Sequence, residues 1–150
     1  MKTKIISKTL LSLGLVFVLV SAITQVRGGT VTIHSTGDVS RGGTGSFVLT
    51  MSAPTWGANV NFSVSGTAIP GVDYVPLVSP VLVRPVFHCP PPCNACAPCA
   101  SPGLGVIPVK TLPDPRGSFF PQAYSVVVTL EPGPGYTIGE PSSATIMINP

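Results

Sequence analysis

The sequence predicts an all-β fold. Apolar and polar residues alternate with a period of two in several short segments, which is the pattern of strands with one buried face. Glycine and proline supply 16 and 18 of the 150 residues, and both disfavour helix interiors. No segment has the 3.6-residue period of an amphipathic helix. Short strands separated by Gly/Pro turns are typical of a seven-stranded antiparallel sandwich of the immunoglobulin kind.

Seven segments carry the strand pattern. In the clearest of them, Phe47, Leu49 and Met51 share one face. Val48 and Thr50 form the other face. The predicted strands cover residues 31–33, 47–51, 60–65, 81–83, 106–109, 124–130 and 144–148. No internal repeat is visible, so we expect a single module over residues 23–150.

The first 22 residues have the pattern of a secretory signal peptide. Lys2, Lys4 and Lys8 form a basic start, and an apolar run over residues 10–22 ends in small residues. A run of about 13 residues is too short to cross a ~30 Å hydrocarbon core as a helix, which argues against an uncleaved anchor. We predict cleavage after Ala22, with no membrane span thereafter. The product would be secreted, held at the cell surface or periplasmic.

Removal of the signal peptide also changes the net charge. The whole chain has a formal charge of +3, from eight Lys/Arg and five Asp/Glu residues. Three lysines leave with residues 1–22, so the basic and acidic residues of the remaining domain balance. Nucleic-acid binding needs a surplus of Lys and Arg to neutralise phosphates. The sequence therefore predicts no nucleic-acid partner.

Two parts of the chain carry a family resemblance. Residues 60–68 read VNFSVSGTA, residues 71–74 read GVDY, and residues 135–146 read GYTIGEPSSATI. In this order the motifs resemble the Calx-beta domain family, over roughly residues 30–148 apart from one insert. The resemblance implies a seven-stranded sandwich of the kind found in extracellular and adhesion-type proteins. It also implies a Ca²⁺ site at one end in some members.

Most positions that the resemblance implies as calcium ligands are not acidic in this chain. Asp73 and Asp114 remain as weak residual Ca²⁺ candidates. Arg41 stands at the place of a Glu. Pro121 and Tyr124 fall at the place of an E-x-x-E pair. Because Ca²⁺ takes six to eight oxygen ligands, we predict calcium binding that is weak or lost, and no firmly bound cofactor.

The same signature also has a purely structural interpretation. Gly66 and Gly71 suit turns that require a positive φ. Asp73 can accept backbone N–H groups and so shape its loop, and Tyr74 can bury its ring. The sequence leaves open whether Asp73 holds the loop or ligates a metal.

A cysteine- and proline-rich insert at about residues 86–104 interrupts the resemblance. Its four cysteines follow the spacing C-x3-C-x2-C-x2-C: Cys89, Cys93, Cys96 and Cys99. In an exported protein this arrangement favours two local disulfides. A Zn²⁺ or other soft-metal site, with His88 as a substitute ligand, is the main alternative. An iron–sulfur site and free or intermolecularly paired thiols are the others.

The titratable residues do not form a recognisable catalytic pattern. Five acidic residues and two histidines give no nucleophile–base spacing, and no glycine loop suits a phosphate. We therefore predict a non-catalytic module for interaction with other extracellular proteins or surface polysaccharide, as in adhesion. Two alternatives remain. One is a metal-handling protein that uses the cysteine insert; the other is a calcium-binding domain truncated from a larger surface protein.

Overall fold

The structure, a computed structural model, describes residues 28–52, 57–86, 102–114 and 122–150. The regular elements in these segments are all strands, which confirms the all-β prediction. Within them, no helix has the length and apolarity needed to cross a membrane. The predicted signal peptide at residues 1–22 lies outside the described residues, as do His88 and all four cysteines of the insert.

Ten strands form in the described segments. In chain order they are β1 (Gly29–Ser35), β2 (Val39–Ser40), β3 (Thr44–Met51), β4 (Ala58–Val60), β5 (Phe62–Ser65), β6 (Val81–Pro85), β7 (Gly103–Lys110), β8 (Tyr124–Leu130), β9 (Tyr136–Ile138) and β10 (Ser143–Asn149).

The strands form two sheets. One has six strands in the order β4-β6-β7-β3-β1-β9, and the other has four in the order β2-β10-β8-β5. Most neighbours are antiparallel, but β9 runs parallel to β1 and β2 runs parallel to β10. Both sheets are therefore mixed, whereas a purely antiparallel arrangement of seven strands was predicted.

The three additional strands have simple physical origins. Strands β2 and β9 contain two and three residues, which is too short to display an alternating pattern. The segment predicted as one strand at residues 60–65 is divided between the sheets. Its first part, β4, pairs with β6, and its second part, β5, pairs with β8. The chain thus crosses from one sheet to the other at Asn61.

One hydrophobic core joins the inner faces of both sheets. The predicted alternation is confirmed in β3, where Phe47, Leu49 and Met51 are buried and the intervening residues are partly exposed. The four-stranded sheet contributes mainly side chains of β8 and β10: Val126, Val128, Leu130, Ile146 and Ile148. Each such side chain contributes about 1.5–3 kcal/mol when fully buried, so this shared core is the main source of stability.

The glycine positions expected from the sequence signature are confirmed. Gly66 and Gly71 have φ angles of 118° and 79°, a region that side chains other than glycine rarely adopt. A Cβ atom on Gly66 would also collide with the carbonyl oxygen of Ser125. The turn after β5 therefore requires glycine, and Gly71 allows the tight loop that carries Asp73.

Candidate functional site

Arg41, Asp73 and Asp114 lie far apart in the sequence and meet in the folded chain. Arg41 is in the turn between β2 and β3, Asp73 is in the loop between β5 and β6, and Asp114 follows β7. The Arg41 Nη2 atom lies 2.7 Å from Asp73 Oδ1 and 3.6 Å from Asp114 Oδ2. Together with Tyr124, described next, these residues are called the Arg41 cluster.

The Arg41 guanidinium is enclosed by the groups around it. Its carbon lies 5.4 Å from the centre of the Tyr124 ring, within the range of a cation–π interaction. Its Nη1 atom donates to the carbonyl oxygen of Leu112 at 3.4 Å. The side chain of Arg41 is 11% exposed and that of Asp73 is fully buried, whereas that of Asp114 is 29% exposed. The closer ion pair, between Arg41 and Asp73, is thus the buried one, and Asp114 lies at the rim of the cluster.

The turn that carries Arg41 is fixed on two sides. The Arg41 N–H donates to the carbonyl oxygen of Asn149 at 3.0 Å. On the other side, the buried hydroxyl of Thr111 donates to the carbonyl oxygens of Ser40 and Gly43, at 3.1 and 2.9 Å. Since β7 ends at the residue before Thr111, the end of this strand holds the turn that carries Arg41. The position of the turn that carries Arg41 is therefore set by hydrogen bonds to β10 and to Thr111.

Asp73 shapes its own loop as well as pairing with Arg41. Its Oδ2 atom accepts the Ile69 N–H at 2.7 Å, and its own N–H donates to the Ile69 carbonyl at 2.8 Å. Its carbonyl oxygen accepts the Leu112 N–H at 2.9 Å. Asp73 therefore shapes its loop, which is one of the two roles that the sequence left open for it. One of its carboxylate oxygens serves the loop and the other serves Arg41.

Tyr74, the neighbour of Asp73, is buried as expected from the sequence. Its pKa is raised above the usual value, first because burial penalises the tyrosinate and then because the charge of Asp73 repels it. Tyr74 therefore remains a neutral phenol at neutral pH. The ionic groups of the cluster are one guanidinium and two carboxylates.

The Arg41 cluster does not fit a calcium ion. Ca²⁺ takes six to eight oxygens at about 2.3–2.6 Å, but here a fixed positive charge already faces both carboxylates. At an effective dielectric constant of ~20, a guanidinium about 5 Å from a divalent ion costs several kcal/mol. Elsewhere in the described segments, no three His, Cys, Asp or Glu side chains come together as metal ligands.

The structure brings together the two carboxylates that the sequence singled out, and it adds a partner that sequence reasoning missed. Tyr124 stands where the resemblance implied a Glu, and its ring now covers Arg41. The resemblance implies an acid at the position of Arg41 and another at the position of Tyr124. A cation and an aromatic residue at these two positions were the sequence signal for their contact. The disulfide and soft-metal interpretations of the four cysteines concern residues outside those described and stay predictions.

No protein-family model matches this chain, and a search of curated proteins finds no significant match. The fold and the candidate site therefore define a structural class, and no family is shown by these comparisons. The chain is an all-β protein with two mixed sheets around a shared core and a largely buried arginine–carboxylate cluster between its loops. The resemblance to the Calx-beta family rests on the sequence motifs alone and stays a prediction.

Proposed function

We propose that this chain is an exported, non-catalytic interaction module of the Calx-beta type, with an immunoglobulin-like sandwich architecture. In this module an arginine takes the place of a calcium ion. The observation that carries the proposal is the Arg41 guanidinium, 2.7 Å from Asp73 and 3.6 Å from Asp114. The all-β fold and the motifs at residues 60–74 and 135–146 support it.

Arg41 would make the arrangement of the surrounding loops independent of calcium. In the Arg41 cluster a covalently attached cation ties together the β2–β3 turn, the Asp73 loop and the segment after β7. These loops would keep their arrangement whatever the calcium concentration outside the cell. The loops and sheet edges would then contact an extracellular protein or a surface polysaccharide, with the chain secreted, at the cell surface or in the periplasm.

Calcium titration tests the first part of this proposal. Isothermal titration of the purified protein is expected to show no dissociation constant in the low micromolar range, because Arg41 opposes the ion. Arg41→Glu reverses that charge and adds a third carboxylate beside Asp73 and Asp114. Its melting temperature is expected to rise on addition of millimolar Ca²⁺, the affinity range of extracellular calcium modules.

The matched control is Arg41→Gln, which removes the charge without adding a ligand and is expected to show a smaller response to Ca²⁺. Low-micromolar binding by the unaltered protein would refute the replacement of calcium by arginine. Equal responses of Arg41→Glu and Arg41→Gln would show that the cluster is not the place where the ion binds.

Expression in a secretion-competent host tests the export half of the proposal. Mass spectrometry of the exported chain is expected to show an N-terminus at Ile23, following cleavage after Ala22. Recovery of the unprocessed chain from the cytosol would contradict export. Retention on arrays of extracellular proteins or glycans, without turnover of the bound molecule, would then identify the class of partner.

The same mass measurement addresses the alternative function, a metal-handling protein that uses the cysteine insert. Two local disulfides are expected to remove four hydrogen atoms from the reduced mass. Four free thiols with bound zinc would instead favour a metal-handling protein, since thiolates are the usual ligands of structural zinc.

A further inference from the structure

An open apolar groove lies between β6, β7 and the segment at residues 75–80. Its volume is about 570 Å³, within the ~300–1,000 Å³ range of ligand pockets. The wall consists largely of aliphatic and proline side chains, among them Val75, Leu77, Val78, Leu82, Val106 and Pro108. This groove is separate from the Arg41 cluster, and none of the four residues of that cluster lines it.

The backbone forms the groove where two strands separate. Strand β6 pairs with β7 only at Arg84–Leu104 and Pro85–Gly103. Further along β7, Pro108 has no N–H to donate, so it cannot extend a ladder to β6. The Val75 N–H donates to the Lys110 carbonyl at 2.9 Å, which brings the segment after Tyr74 beside the far end of β7. The space between these two attachments is the groove.

Several apolar side chains of the groove are exposed to solvent. Val78 is 81% exposed and Val106 is 53% exposed, while Val75 and Leu82 are each more than two-fifths exposed. A contiguous group of exposed aliphatic residues is uncommon on a soluble protein unless it binds something. Contact with an apolar molecule would remove this surface from water, which is the main favourable term in such binding.

Among the described residues, the polar side chains in the wall are those of Thr44 and Lys110. They are opposite each other in register at the start of β3 and the end of β7, so they mark one end of the β7 wall. Lys110 forms no salt bridge with any residue in the described segments. In the part of the chain that the structure describes, the groove thus combines a long aliphatic wall with the Lys110 cation and the Thr44 hydroxyl at its end.

We propose that this groove binds a single-chain fatty acid, with the alkyl chain along β7 and the carboxylate at Lys110 and Thr44. An alkyl chain needs no hydrogen-bond partners, which suits a wall of aliphatic and proline side chains. A bound peptide strand would need backbone partners, and Pro108 removes one of the donors that such a strand would use.

Titration calorimetry with octanoate, decanoate and dodecanoate, each below its micellar concentration, tests the proposal. Each methylene added to the buried chain is expected to strengthen binding about fourfold, so decanoate binds about 15-fold more tightly than octanoate. Decanol, which has the same tail without the charge, is expected to bind more weakly than decanoate. The preference for decanoate is expected to decrease at high salt, because Lys110 is exposed.

Two variants locate the binding. Lys110→Gln is expected to weaken decanoate binding about two- to fivefold, the range of an exposed ion pair, and to leave decanol binding unchanged. Val106→Asp places a carboxylate in the wall at a half-exposed position and is expected to weaken both ligands at least about tenfold. Ser63→Asp, an exposed strand position in the other sheet, is the matched control and is expected to bind like the unaltered protein.

Every variant is prepared with the same N-terminus as the unaltered protein, so any ligand bound outside the groove would contribute equally to all of them. An affinity that does not depend on chain length would overturn the proposal, as would the absence of decanoate binding. Val106→Asp and Ser63→Asp with equal affinities would also overturn it. Self-association that Val106→Asp abolishes, in the absence of fatty-acid binding, would assign the groove to a contact between copies of the chain.

Discussion

Replacing Asp73 by Ala is expected to lower the free energy of unfolding by about 3–5 kcal/mol, the cost of breaking one side of a buried ion pair. The substitution leaves the Arg41 guanidinium without its closest counter-ion. It also removes the acceptor of the Ile69 N–H. In a chain of this size the melting temperature should fall by roughly 10–20 °C, measured by thermal and urea unfolding with circular dichroism.

Asp114→Ala is the matched control for Asp73→Ala. Asp114 lies 3.6 Å from the same guanidinium nitrogen and is 29% exposed, so its removal is expected to cost less than about 1 kcal/mol. Arg41→Met combined with Asp73→Ala should be less destabilising than the sum of the single changes, by about 1–3 kcal/mol. Equal effects of Asp73→Ala and Asp114→Ala on the free energy of unfolding would contradict a dominant role of the buried Arg41–Asp73 pair in stabilising these loops.

The longer strands could be predicted because each has one face in the core. In β3 and β7 burial alternates along all eight residues, and alternation of side-chain types reports that burial directly. Strands β2 and β9 are different because they are short and attach in parallel to β10 and β1. Whether such a short segment pairs depends on which distant strand the folded chain brings beside it. The sequence pattern within the segment carries no information about that neighbour.

The crossing at Asn61 shows a second limit of pattern reading. Val60 and Phe62 are both buried, so alternation continues through Asn61 while the hydrogen-bonding partners change. The Asn61 N–H donates to the Tyr136 hydroxyl and the Phe62 N–H donates to the Ser79 hydroxyl, each at 3.0 Å. Side chains that are distant in sequence thus accept the hydrogen bonds of these two backbone N–H groups. Because the alternation of buried residues is unbroken, it predicts one strand where the structure has two.

The candidate site was partly predictable for a related reason. Arg41 and Asp73 were singled out by the positions that the family resemblance implies. Their contact joins residues 32 positions apart, however, and arises because Thr111 and the β10 backbone fix the Arg41 turn. The role of Tyr124 depends on the orientation of its ring over the guanidinium, which only the folded arrangement specifies.

Replacing Phe47 by Ala is expected to lower the free energy of unfolding by about 3–5 kcal/mol, the usual cost of removing a buried aromatic ring. Phe47 is fully buried in β3, between β1 and β7. Because both neighbours hold β3 in register, the surrounding strands have little freedom to close the cavity. Chemical unfolding should show a lower midpoint with an unchanged dependence on denaturant concentration.

Val48→Ala is the control for Phe47→Ala, since Val48 is the next residue and lies on the partly exposed face of β3. It is expected to cost less than about 1 kcal/mol, because little apolar area is removed from the core. The ratio of the two effects tests the register itself. A shift of β3 by one residue would move Val48 inward and Phe47 outward, so a larger loss for Val48→Ala would contradict the pairing with β1 and β7.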